Sequence, residues 1–275
     1  MEILNIVSSH WKSVSVFKMT NLEEIMFGLA KYPFLEKALG PYVKWALTQT
    51  EGNGARHKIV QAITSGNYQA LSQLESLLIR AQTELNITED EFIKAFGFLD
   101  DLFVDDPEKL HDVIAEPLLV VKLTEHGFSE IKKLSKSIRV NGIERPLADF
   151  TAKRSGLSFA IELKTVRTEK TLSPGQPSGN ALQPDWWGEM FLHNARMKVE
   201  GKDFRVVKQL KNACEHFDCD MGMLVLYSRR LGVAALSEDH EYREKLEILK
   251  AEYPQIDFFA SMDYYGVFVM VPDLP

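Results

Sequence analysis

Between residues 21 and 104, apolar side chains recur at intervals of three and four. Tyr68, Leu71, Leu74, Leu78, Ala81 and Leu85 fall on one stripe of a helix. Thr88 with Glu91 three residues later makes a capping box, and it opens a further helix through Phe92, Ala95, Phe96 and Leu99. Asp106-Pro107 starts another, since proline's fixed φ and missing N–H suit the first helical position. The spacing predicts an all-α domain of four or five helices over 1–105.

After about residue 110 the period changes. Ser129 is placed to cap a short helix, Ser129 to Ser137, and Asn141-Gly142 then turns the chain into two extended runs, 145–151 and 157–163. The turn Lys153-Arg154-Ser155-Gly156 between them predicts an antiparallel hairpin. Alternation puts Leu157, Phe159, Ile161 and Leu163 on one face, and Ser158, Ala160, Glu162 and Lys164 on the other. Pairing the two runs brings Asp149 beside Glu162. Two carboxylates and an ammonium at one spot are either an ion-pair network on an exposed sheet face or a cation site with a working lysine.

Further on, 168–184 (TEKTLSPGQPSGNALQP) reads as a loop rich in Pro, Gly and Ser. A helix follows from Phe204 to His216, with Val207, Leu210, Ala213 and Cys214 at helical spacing. The apolar run Met221 to Tyr227 is expected as a central strand buried on both faces. An amphipathic helix from His240 to Tyr253 and two late strands, near 257–260 and 266–271, complete an α/β domain over 106–275. The fold class is thus α/β: an all-α domain, then a mixed sheet flanked by helices.

Composition sharpens this only in part. Of 275 residues, 45% are hydrophobic and 26% charged, which is ordinary for a folded domain and argues against disorder of the whole chain. No window has the length of a membrane span, and the N-terminus lacks the pattern of a signal peptide, so no membrane partner and a cytoplasmic setting are expected. A net charge of −7 argues against coating nucleic acid by bulk electrostatics. It leaves room for a local basic groove, and Lys132, Lys133, Lys136, Arg139, Arg145, Lys153, Arg154, Lys164, Arg167 and Lys170 crowd the segment around the hairpin. The bland alternative is a solvated face. Cys214 and Cys219, with His216 between them, do not complete a zinc set, so reduced structural thiols are expected.

The acid in Pro146-Leu147-Ala148-Asp149, followed on the next run by Glu162-Leu163-Lys164, resembles the PD-(D/E)XK nuclease superfamily, the restriction-endonuclease-like fold. The helix and strand in KQLKNACEHFDCDMGMLVLYS (208–228) look most like its Mrr-like restriction endonuclease branch. The resemblance covers about 125–230, and here the proline stands displaced from its usual place beside the acid. It implies Mg²⁺, with Mn²⁺ as substitute, held by Asp149, Glu162 and the Leu163 carbonyl, with Lys164 assisting catalysis. It adds Glu130, an acid on the preceding helix, as a further metal ligand, and Gln209 on the following helix as a catalytic-site residue. It implies an endonuclease acting on nucleic acid, expected to be double-stranded DNA, in restriction or other anti-phage defence. A homodimer and a defence-system partner protein go with that, and 1–105 would serve recognition, oligomerisation or regulation. The alternatives are an inactive nuclease-like binding module and an RNA-directed enzyme.

Other motifs carry less. Residues 51–58 are glycine-rich without the spacing of a phosphate loop and read as a connector. The histidines show no metalloprotease pattern, and there is no G-x-S-x-G elbow. Trp186-Trp187 is either a base-stacking pair or a core-and-interface pair.

Overall fold

The computed structural model describes residues 22–48, 68–98, 109–167, 186–229, 239–263 and 267–274. They divide into two compact units, one ending at Glu125 and one beginning at His126. The helix Lys109–Glu125 therefore belongs with the first unit, beyond the 105/106 division read from the sequence. The 51–58 connector, Asp106-Pro107 and the 168–184 loop lie outside the described residues, as do the side chains of Trp186 and Trp187.

The first unit comprises α1 (Leu22–Leu29), α2 (Pro33–Thr48), α3 (Tyr68–Leu85), α4 (Glu89–Ala95) and α5 (Lys109–Glu125). On α3 the predicted stripe buries Leu71, Leu78, Ala81 and Leu85, while Tyr68 at its start is exposed. Glu75 on α3 accepts the N–H groups of Phe34 and Leu35 at 3.0 and 2.7 Å, so one carboxylate satisfies two orphan donors where α2 begins. The predicted capping box is present: Thr88 Oγ1 accepts the Glu91 N–H, and Glu91 accepts the Thr88 N–H.

The second unit is a mixed α/β layer. Its six-stranded sheet has the order β1 (Ser129–Lys133), β4 (Phe150–Arg154), β5 (Leu157–Arg167), β6 (Met221–Arg229), β7 (Phe258–Asp263), β8 (Phe268–Val271). The pairs β1–β4, β4–β5 and β7–β8 are antiparallel, whereas β5–β6 and β6–β7 are parallel. Parallel neighbours need a crossover, and α6 (Trp186–Phe217) and α7 (Asp239–Glu252) supply the two. β2 (Ser137–Val140) and β3 (Ile143–Pro146) form a separate two-stranded ribbon. Among the described residues no helix is long and apolar enough to cross a membrane.

Both faces of the central strands are covered, which explains why β6 reads as an unbroken apolar run. On one face Ala160, Leu224, Leu226 and Phe259 pack with Leu210 and Ala213 of α6 and Leu246 and Leu249 of α7. On the other, Phe159 meets Phe128 and Phe258 edge-on, at 5.4 and 5.5 Å between ring centroids. Two tight hairpins set the registers, with Asn141-Gly142 and Ser155-Gly156 all at positive φ. Such paired left-handed residues match the right-handed twist of the strands they join.

The helix expected from Ser129 to Ser137 is absent: these residues form β1 and open β2. A bulge is the physical reason. The β1–β4 register shifts between Ser129 and Lys132, and Glu130 sits at φ 49°, so the period-two alternation that marks a strand is lost. The first extended run is also split. Ile143–Pro146 pairs within the ribbon, and only Phe150 onward joins the sheet.

α6 is two helices joined at a kink, with Lys202, Asp203 and Phe204 in the left-handed region. At its C-terminus Asp218 takes φ 54°, and the Cys219 N–H returns to the Cys214 carbonyl at 3.1 Å. Burial raises both thiols, Cys214 to about 11, so they stay protonated at neutral pH.

Candidate metal centre

The hairpin register decides which charges meet. Phe150 lies opposite Ile161, and the Asp149 N–H continues the ladder to the Ile161 carbonyl at 3.0 Å, which sets Asp149 opposite Glu162. The Asp149 carboxylate then turns onto β5, where Oδ2 accepts the Leu163 N–H at 2.8 Å. Glu162 and Lys164, two residues apart on one strand, project from the same face, and the Lys164 ammonium donates to Glu162 Oε1. Leu163 turns its backbone groups to the edge where Asp149 stands, since a strand alternates those directions with period two.

The environments of these groups differ. Glu162 is fully buried, at 0% exposure, whereas the Lys164 side chain retains 28% and reaches the surface. Burial first, and the Asp149 carboxylate second, raise Glu162 to about 8, against the pull of Lys164 and Lys133. Its second oxygen, Oε2, is buried without a hydrogen-bond partner. An unpartnered buried carboxylate oxygen is costly, and in native structures it calls for an explanation such as an ion, a water or a catalytic role.

Lys133 is the residue that sequence reasoning left in the general basic crowd. It ends β1 opposite Phe150, with Nζ 3.7 Å from Asp149 Oδ1 and 4.6 Å from the centre of the Phe150 ring. Only the strand assignment brings it there; in the expected helix it had no fixed relation to Asp149.

Gln209 meets the site through the backbone that leads into it. Its Nε2 donates to the Leu147 carbonyl at 3.0 Å, and Asn212, one helical turn on, donates to the Pro146 carbonyl at 2.9 Å. Glu215 lies 3.6 Å from Arg145. Thus 209, 212 and 215 on one face of α6 grip 147, 146 and 145 in turn, two residues upstream of Asp149. Asn212 also went unread, since only the fold sets it against Pro146. Gln209 Oε1 is a second buried acceptor without a partner. Glu130, by contrast, is half-exposed on the bulged strand and pairs with Lys153 at 2.8 Å, an interaction that holds its carboxyl below the usual range. The structure brings Asp149, Glu162, Leu163 and Lys164 together, ties Gln209 to their support, and leaves Glu130 engaged elsewhere.

Among the described residues, no group of three or more His, Cys, Asp and Glu side chains gathers for a metal. The donor set on offer is two carboxylates and a backbone carbonyl, all hard oxygens, with an orphaned oxygen on Glu162. That set fits Mg²⁺, which takes one or two carboxylates and keeps several waters. Comparison with protein-family models, curated proteins and solved structures gave no match for the chain.

Proposed function

We propose that the second unit is a metal-dependent endonuclease of the restriction-endonuclease-like kind, hydrolysing phosphodiester bonds of double-stranded DNA with Mg²⁺. The observation that carries this is the buried Glu162, its Oε2 unpartnered, beside Asp149 and capped by Lys164. The antiparallel β4–β5 hairpin, followed by a helix and a parallel strand, supports it as well.

Asp149, Glu162 and the Leu163 carbonyl would hold the ion. Bound there, Mg²⁺ supplies a water of lowered pKa and polarises a phosphate oxygen. Lys164 presents an ammonium at the surface side of the pair, suited to charge developing on the phosphate. Gln209 and Asn212 keep the strap into Asp149 in place. Cleaving both strands takes two such sites, so a homodimer accompanies the proposal. Restriction or another defence against foreign DNA, with or without a partner protein, is its setting by kinship.

The test is incubation of plasmid and linear DNA with Mg²⁺ or Mn²⁺. Cleavage by the wild type and its loss in Asp149→Ala and Lys164→Ala are expected; identical products from all three would reject the assignment. One observation favours a second reading, a binding module that does not cut: each carboxylate already has an ammonium beside it. Calorimetric titration separates the two, since a purely structural cluster shows no Mn²⁺ binding that depends on Glu162.

A further inference from the structure

We propose that Arg205 and Lys208, on the outer side of α6, seat the DNA backbone beside the metal centre, holding phosphates that flank the one to be cut. The inference rests on the reading of this unit as a nuclease acting on duplex DNA.

The course of the strap places the two residues. Glu215, Asn212 and Gln209 meet residues 145, 146 and 147 in turn, so the strap runs towards Asp149 as α6 is followed back towards its N-terminus. Residues three or four apart share one face of a helix. Arg205 stands four residues before Gln209, and Lys208 four before Asn212, so each extends the gripping stripe by one turn, on the side where Asp149 lies. Both belong to the regular part of α6 beyond the kink at 202–204, and both are exposed. The helix cannot roll them inward, because Val206, Leu210 and Ala213 are buried on its other side.

Charge then selects the occupant. From Arg205 to the end of α6, three basic residues stand against one acid, Glu215, in a chain of net charge −7. Glu215 is already shared, with Arg145 at 3.6 Å and Lys211 at 3.8 Å. Among the described residues Arg205 and Lys208 have no anionic partner. They stand about 4.5 Å apart along the helix axis, and the phosphates of one DNA strand follow one another at about 3.4 Å of rise. A single acidic side chain would answer one of these cations. A phosphate backbone answers both and continues to the bond at the metal centre.

The test takes the full chain carrying Lys164→Ala, so that the duplex stays intact, and follows fluorescence anisotropy of two labelled duplexes of unrelated sequence in Mn²⁺ over a salt series. Adding Arg205→Gln or Lys208→Gln is expected to weaken binding about tenfold at about 0.1 M salt, equally for both duplexes, and to lower the salt slope by about one per residue. Arg205→Lys and Lys208→Arg keep the charge and are expected to bind like the parent. A merely structural role would lower Tm and leave the salt slope alone; Tm is expected to stay unchanged. Alanine replaces glutamine at either position if that variant does not fold. No duplex binding by the parent, an unchanged slope, or a loss confined to one of the two sequences overturns the phosphate role and leaves the metal site standing. Absence of cleavage by the wild type overturns the nuclease reading instead, while the salt slope still decides the role of Arg205 and Lys208.

Discussion

The carboxylate of Asp149 accepts the backbone N–H of Leu163 at 2.8 Å, joining the residue before β4 to the middle of β5. This bond separates two roles of Asp149, because an amide oxygen can accept it as well as a carboxylate can. Asp149→Asn is expected to keep nearly wild-type stability and lose cleavage by at least about a hundredfold, the scale of losing one charged group at a catalytic centre. Asp149→Ala also orphans the Leu163 N–H and should cost about 1–3 kcal/mol. Plasmid cleavage and chemical denaturation, run on both variants, check the two effects apart.

Glu162 should make the metal-free protein sensitive to pH. Its carboxyl stands at about 8 in the folded chain against an ordinary 4.5, so the folded state binds this proton more tightly. The resulting stability is complete below about 4.5 and is lost as pH rises to 8 and past it. With chelator present, Tm is expected to fall across that window more steeply in wild type than in Glu162→Gln, measured by scanning calorimetry from pH 5 to 9. Mn²⁺ affinity should rise over the same window, since the ion takes the deprotonated carboxylate. Equal slopes in the two proteins would remove burial of this carboxyl as the cause.

How much of this is legible in the sequence depends on whether a signal is local. The stripe on α3 and the capping box at Thr88 are written within one or two helical turns, and both are present. Glu162 and Lys164 share a face because they are two apart on a strand, and a two-residue turn sets Asp149 opposite them. Lys133 and Asn212 reach the site only through partners 16 and 66 residues away, Asp149 and Pro146, for which spacing offers no sign. The strand carrying Lys133 was hidden as well, because the bulge at Glu130 breaks its alternation. Likewise Glu162 reads as a surface charge until α6 is seen to cover that face of the sheet.

Thr88 tests the first unit. Its hydroxyl accepts the Glu91 N–H at 3.3 Å, and the Glu91 carboxylate, held below its usual range by the Thr88 contacts, accepts the Thr88 N–H at 2.8 Å. Thr88→Ala removes the cap from a helix of only seven residues and should cost about 1 kcal/mol. Denaturant unfolding is expected to register the loss, while cleavage below the melting range stays at the wild-type rate. A change in cleavage without a change in unfolding would link this helix to the reaction.

The three contacts of α6 with residues 145–147 predict a graded response. Gln209 and Asn212 each donate to one backbone carbonyl, and both carbonyls lie within three residues of Asp149. Alanine at either position removes a hydrogen bond of about 1 kcal/mol net, more where the carbonyl stays buried. If the grip serves only folding, stability falls and Mn²⁺ affinity, measured well below the melting range, does not. If it positions Asp149, Mn²⁺ affinity falls too, and the double variant loses less than the sum of the singles because both hold one strap. Glu215→Ala breaks only an exposed pair with Arg145 and should change neither quantity by more than a few tenths of a kcal/mol. The expected order of loss in Mn²⁺ affinity is therefore Gln209, then Asn212, then Glu215, following their distance along the strap from Asp149.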